Sequence, residues 1–217
     1  MRLLRPKEIA EMFERLKKLN PDPTTELEYT NTYTLLVAVV LSAQATDSSV
    51  NKATKMLFAK IDSPQKMLKL GEEGLLPFVK TIGLYKGKAK NVVALSKILL
   101  EKFKGQVPSS REALESLPGV GRKTANVVLN TAFGEPLIAI DTHVFRVANR
   151  TGLAKGDTPL AIELALEKRV PALYKRNAHH WLILHGRYIC KARLPLCFEC
   201  PVNDICLFPE KNVNRKM

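Results

Sequence analysis

No apolar run in the chain approaches the ~20 residues that a membrane-spanning helix needs. The N-terminus mixes Glu8, Glu11 and Glu14 with its basic residues and lacks a signal-type apolar segment. These two absences predict a soluble chain that works in the cytoplasm. No alternating apolar–polar stretch of useful length occurs, which argues against a sheet, and no repeat or low-complexity segment is present. Cysteine is absent before residue 190. Acidic residues are scarce: 21 Asp and Glu face 34 Lys and Arg, a formal net charge of +13. That imbalance favours a polyanionic partner, although charge alone does not separate nucleic acid from an anionic membrane surface. What the chain does have is a 46% hydrophobic share over 217 residues, enough for a true core in one or two domains.

The most informative stretch is Leu117–Asp141, LPGVGRKTANVVLNTAFGEPLIAID. It follows SSREALES, where Ser109 and Glu112 fit a capping box and a helix that stops before Pro118. Gly119 and Gly121 permit positive φ and a close backbone approach. A second helix starts near Arg122, and its first N–H groups lack intrahelical partners, so they can receive a phosphate oxygen. Such a clamp holds phosphate and carries no base information. A Pro-Gly-x-Gly segment can equally be a plain connector. Here Arg122 and Lys123 place cations against the helix dipole, which makes better sense with an anion bound.

Around this stretch the sequence reads as helical throughout. Residues 6–18 are amphipathic, with Ile9, Met12, Phe13 and Leu16 on one face. NPDPTTE at 20–26 breaks the helix and reads as a linker. Tyr33–Leu41 is almost wholly apolar and is expected to be a buried helix, followed by one capped by Asp47. Ser63-Pro64 opens a short helix. From Lys86 to Phe103 a stripe of Ala89, Val92, Val93, Leu99, Leu100 and Phe103 recurs at helical spacing, and Lys86, Lys88 and Lys90 beside the preceding turn are candidate phosphate binders. Thr158-Pro159 starts a helix to about Val170, and Asn177 starts another through Tyr188. The expected fold class is all-α, with about ten helices.

All four cysteines fall at 190, 197, 200 and 206, giving C-x6-C-x2-C-x5-C. An intracellular chain keeps thiols reduced, so one metal centre is preferred over two disulfides. Thiolates suit zinc or an iron–sulfur cluster, and the single C-x2-C pair departs from the two close pairs usual in zinc ribbons. Lys191, Arg193 and Arg187 surround this segment with cations.

LPGVGRKTANVV, IDTHVFRVANR, LSAQATD at 41–47, GLYKGKA at 83–89 and the cysteine spacing together resemble the endonuclease III family. That family is the bifunctional DNA glycosylase/lyase branch of the helix-hairpin-helix superfamily, and the resemblance spans nearly the whole chain. It implies two helical lobes with a DNA cleft between them: a six-helix domain over 23–135 carrying the hairpin, and an iron–sulfur domain of 1–22 plus 136–217. It implies a [4Fe-4S] cluster on Cys190, Cys197, Cys200 and Cys206, and a monovalent cation at the hairpin. Duplex DNA with damaged bases or abasic sites is the implied partner, met by a monomeric enzyme on the nucleoid.

The implied activity is removal of oxidised pyrimidines followed by β-elimination at the abasic sugar. Only an amine forms the imine that acidifies the C2′ proton. The resemblance places that amine at Lys123, beside Arg122 at a helix N-terminus, where partial burial is also expected. It places the catalytic carboxylate at Asp141, which by its position alone is an N-cap. Gly119, Val120, Gly121, Arg122 and Lys191 are the implied backbone contacts. Gln44 and Leu84 are the residues that fill and wedge the duplex when the base is flipped out. His179, His180, Trp181 and His185 read as packing and hydrogen-bonding residues of the last helix. Two other readings remain: a monofunctional adenine-type glycosylase, which lacks the lysine, and a non-catalytic DNA-binding iron–sulfur protein.

Overall fold

The computed structural model describes residues 2–213. Among these it contains ten α-helices and no strand, and the chain divides into two compact units: Thr25–Gly134, and Met1–Thr24 with Glu135–Met217.

The continuous unit has six helices: α2 Thr32–Leu41, α3 Asp47–Phe58, α4 Pro64–Val79, α5 Tyr85–Phe103, α6 Arg111–Glu115 and α7 Arg122–Phe133. Its centre is α2, buried from Tyr33 through Leu41 and packed by α3, α5 and α7. An apolar run with no polar face has to be surrounded, and it is. Asn31 caps α2 by accepting from Thr34 N at 2.9 Å. Within the core, Tyr33 Oη and Ser96 Oγ share a 2.7 Å hydrogen bond that links α2 to α5, and burial raises the Tyr33 phenol above its usual range.

Three local expectations shift. The cap of α3 is Thr46, whose Oγ1 accepts from Ser49 N at 3.2 Å, and Asp47 is instead its first helical residue, where an acidic side chain favours the dipole. The cap of α6 is Ser110, accepting from Ala113 N at 3.3 Å, so the Ser109–Glu112 box does not form. The helix after Ser63 is long, and Gly71 at φ 68° kinks it.

The second unit joins α1 Pro6–Leu19 to α8 Thr142–Thr151, α9 Pro159–Arg169 and α10 Ala172–Tyr188. The α1 stripe of Ile9, Met12, Phe13 and Leu16 is buried, with the Phe13 ring 5.6 Å from Tyr174 and 6.1 Å from Trp181. Trp181 donates Nε1–H to Asn20 O at 2.8 Å. Arg15 on α1 donates to Pro201 O at 2.9 Å and pairs with Asp204, tying the first helix to the cysteine segment. Helix α10 begins at Ala172 rather than at Asn177, because Pro171 supplies the start five residues earlier. No helix of the described residues is long and apolar enough to cross a membrane.

Candidate nucleic-acid interface and cysteine centre

In the continuous unit, Leu117–Gly121 forms a tight hairpin between α6 and α7. Leu117 and Val120 are buried, and Val120 N donates to Leu117 O at 3.1 Å. Only one of the two glycines uses left-handed backbone: Gly119 has φ 78°, whereas Gly121 is extended at φ −98° and ψ 178°. A Cβ on Gly119 would lie 3.0 Å from Asn91 Nδ2 of α5. Gly119→Ala therefore meets both positive φ and a crowded neighbour. It is expected to cost about 1–2 kcal/mol by thermal melting.

Gly121 is the N-cap of α7 and brings no side-chain cap, so the first N–H groups of α7 are left for a ligand. Arg122 and Lys123 are the first two residues of that helix and both are exposed. Exposure corrects the expected partial burial of Lys123, which stands on the solvent side of the first turn of α7 while Ala125 of the same turn is buried.

The two stretches expected to enter the duplex are neighbours. Gln44 and Leu84 are both exposed and both held in left-handed backbone, at φ 54° and 59°. A Cβ on Gly83 would lie 3.9 Å from Gln44 O, so the 42–45 turn and the 80–84 turn abut. Leu84 is 67% exposed, which excludes the alternative of a core leucine. Lys86 and Lys90 are exposed beside it, but Lys88 is buried and is no surface phosphate binder. The buried stripe of α5 differs from the expected one: Val93, Leu100 and Phe103 are only half-buried, while Lys88, Leu95 and Ser96 are inside.

In the other unit, Asp141 caps α8, its Oδ1 accepting from Val144 N at 2.7 Å. Its neighbour His143 meets Arg146 at 3.2 Å through Nδ1. A Cβ on Gly186 would lie 2.8 Å from His143 Cβ, so this glycine allows α10 to cross α8 closely. His179 contacts Ala139 O at 3.0 Å through Nδ1, and burial lowers the proton affinity of His180.

The four cysteines form no disulfide and line one cavity with His185 and Phe208. Burial pushes the Cys200 thiol up to about 11 and raises Cys206 as well. Phe208 N donates to Cys206 Sγ at 3.5 Å. Among the described residues, no three His, Cys, Asp or Glu side chains converge as ligands of a single metal ion.

Two arginines on α8, missed in the sequence reading, organise this segment. Arg146 donates to Cys190 O at 2.9 Å and Gly186 O at 2.8 Å. Arg150 donates to Lys191 O at 2.6 Å and Ala192 O at 3.0 Å, lies 3.8 Å from Cys190 Sγ, and stacks 4.7 Å over the Phe208 ring. Leu196 N closes the loop onto Ile189 O at 2.9 Å. With the 191 and 192 carbonyls turned inward to Arg150, the side chains of Lys191 and Arg193 stand in solvent. The i, i+4 arginine spacing in HVFRVANR was the available signal.

An all-helical chain with an uncapped glycine hairpin, a cationic first helical turn and a four-thiol loop belongs to the helix-hairpin-helix class. Residues 37–172 match the family model described as HhH-GPD superfamily base excision DNA repair protein. The chain is 60% identical over 198 residues to the endonuclease III of Rickettsia conorii, covering 91% of this chain and 94% of that one. A solved non-covalent endonuclease III–DNA complex superposes with a TM-score of 0.88 at 45% identity, covering 94% of this chain and 96% of that one. A trapped endonuclease III–DNA covalent intermediate gives a TM-score of 0.87 at 44% identity over the same shares. The chain belongs to the HhH-GPD superfamily of base excision DNA repair proteins, on its endonuclease III branch.

Proposed function

We propose that this protein removes oxidised pyrimidines from duplex DNA and cuts the resulting abasic strand by β-elimination. The observation that carries the reading is Lys123, an exposed amine in the first turn of α7 directly after the Gly119 hairpin. The covalent complex trapped between a homologous protein and DNA supports it. The Lys123 amine attacks the sugar C1′ and the N-glycosidic bond breaks, the base leaving with its electron pair and a proton. The sugar ring opens to an imine between Lys123 Nζ and C1′. Loss of the C2′ proton then expels the 3′ phosphate and breaks the C3′–O bond, and water hydrolyses the remaining imine to an aldehyde, which frees the Lys123 amine. Asp141 is the carboxylate that stabilises positive charge on the sugar. Its Oδ1 bond to Val144 N fixes its orientation, so the capping and catalytic roles coexist.

Gly119, Val120 and Gly121 hold the DNA backbone with Arg122, and Lys191 adds a cation from the cysteine loop. Gln44 and Leu84 occupy the space the flipped nucleotide leaves. On this reading the two compact units are a six-helix hairpin domain and an iron–sulfur domain of a monomeric enzyme that works in the cytoplasm on nucleoid DNA.

The cysteine cavity suits a [4Fe-4S] cluster: four thiols share it, and N–H donors from Phe208 and Arg150 point at its sulfurs. Bound there, the cluster supplies a rigid cross-link of the loop and takes no part in bond cleavage. The hairpin offers only backbone carbonyls and no carboxylate, donors that suit a weakly held monovalent cation.

The test is product analysis on a duplex containing one oxidised pyrimidine. Release of the free base together with a β-elimination end supports the reading. Base release with an intact abasic strand moves the chain to the monofunctional class, and binding without either product leaves only a DNA-binding protein.

A further inference from the structure

The buried face of α5 carries a charge with no local partner. Lys88 is 6% exposed, and its Nζ is shut away from solvent without a hydrogen-bond partner among the described residues. Burial pulls its ammonium below the usual lysine range. A methionine of similar length would avoid that cost, so a lysine retained here needs a reason beyond packing.

Its position supplies one. Lys88 lies on the α5 stripe of Val92, Leu95 and Leu99, and the adjoining Ser96 bonds Tyr33 at the start of α2. At the opposite end, Gly83 abuts the Gln44 carbonyl just beyond α2. The two contacts run in opposite chain order, so α2 and α5 are antiparallel. Lys88 precedes Ser96 by eight residues, about 12 Å along the helix, and the same distance from Tyr33 along α2 reaches its last turn. That turn exposes the negative end of the helix dipole. The chain leaves it through a turn with one long backbone bond, Ala43 N to Val40 O at 3.5 Å, and one of ordinary length, Ala45 N to Ser42 O at 3.0 Å, with Gln44 in left-handed backbone between them. A non-glycine residue stays in left-handed backbone only where its surroundings impose it.

We propose that Lys88 is a positioning residue: its buried ammonium, bonded to none of these carbonyls, lies toward the negative end of the α2 dipole and through that charge favours the 42–45 turn in which Gln44 stands ready to enter the duplex as the damaged nucleotide leaves. The proposal rests on the reading of Gln44 as the gap-filling residue.

The test is a double-mutant cycle on single-turnover base excision from a duplex, using Lys88→Met, Gln44→Ala and the pair. Each single substitution is expected to slow excision roughly tenfold, with the pair no slower than about twofold beyond Gln44→Ala. Lys88→Met is expected to melt no lower than the parent and to form the imine normally on a single-stranded abasic oligonucleotide, which has no gap to fill. Lys88→Arg recovers most of the loss. Multiplied losses in the pair, or an equal loss on the single strand, overturn the proposal. A silent Lys88→Met beside an impaired Gln44→Ala overturns it alone. A silent Gln44→Ala removes the gap-filling reading as well. Should Lys88→Met fail to fold, Lys88→Gln carries the same cycle.

Discussion

Replacing Lys123 with glutamine is expected to lower strand cleavage at an oxidised pyrimidine by at least about a thousandfold. Glutamine keeps much of the side chain's reach and its hydrogen-bonding capacity but has no amine, so no imine forms and the C2′ proton is never acidified. DNA affinity changes far less. One cation beside the hairpin is lost, which reduces the salt slope of binding by about one and weakens binding uniformly across sequences. The Gly119 turn, the uncapped start of α7 and Arg122 all remain. Lys123→Arg separates charge from chemistry: it retains the cation and the binding, and it is equally inactive in cleavage. A glutamine variant that still cleaves through β-elimination would move the nucleophile to another amine.

Cys200→Ser has the second large effect, on stability. Cys200 is half-buried in the cavity it shares with the other three cysteines, and it packs against the core of its unit. If the cysteines hold the proposed cluster, serine offers a poorer ligand for iron and the cluster is lost or incomplete. Few apolar anchors then hold the segment: Val202 is fully buried, and Leu207 packs where a Cβ on Gly152 would come within 2.7 Å. A loss of about 3 kcal/mol lowers the melting temperature by about 6–12 °C in a chain of this size. The visible absorbance expected of the proposed cluster disappears in parallel. With the proposed DNA contact at Lys191, affinity is expected to fall too, because that exposed lysine directly follows Cys190. Retained stability with unchanged absorbance would remove Cys200 from the ligand set.

Much of this was legible in the chain. The period of α1, the wholly apolar α2, the Ser63-Pro64 and Thr158-Pro159 starts and the hairpin all followed from local rules that tertiary packing left in place. What stayed hidden depends on partners distant in sequence. The seal over Lys88 comes from the packing of α5 against the rest of its unit, so a lysine near a turn read as a surface cation. The grip of Arg150 on the cysteine loop joins residues about 40 apart and leaves only a weak i, i+4 trace. Caps slipped by one residue at Thr46 and Ser110 because neighbouring serines, threonines and aspartates compete for the same orphan amides. The exposure of Lys123 was misjudged for a related reason: chemistry said what the amine must do, but not how much of it the fold covers.

The most direct measurement is borohydride trapping of the protein on duplex DNA with one abasic site, followed by peptide mapping of the adduct. A single adduct on the peptide containing Lys123 is the predicted result. An adduct on any other amine, or none from a folded and cluster-loaded protein, would contradict the lysine Schiff-base mechanism.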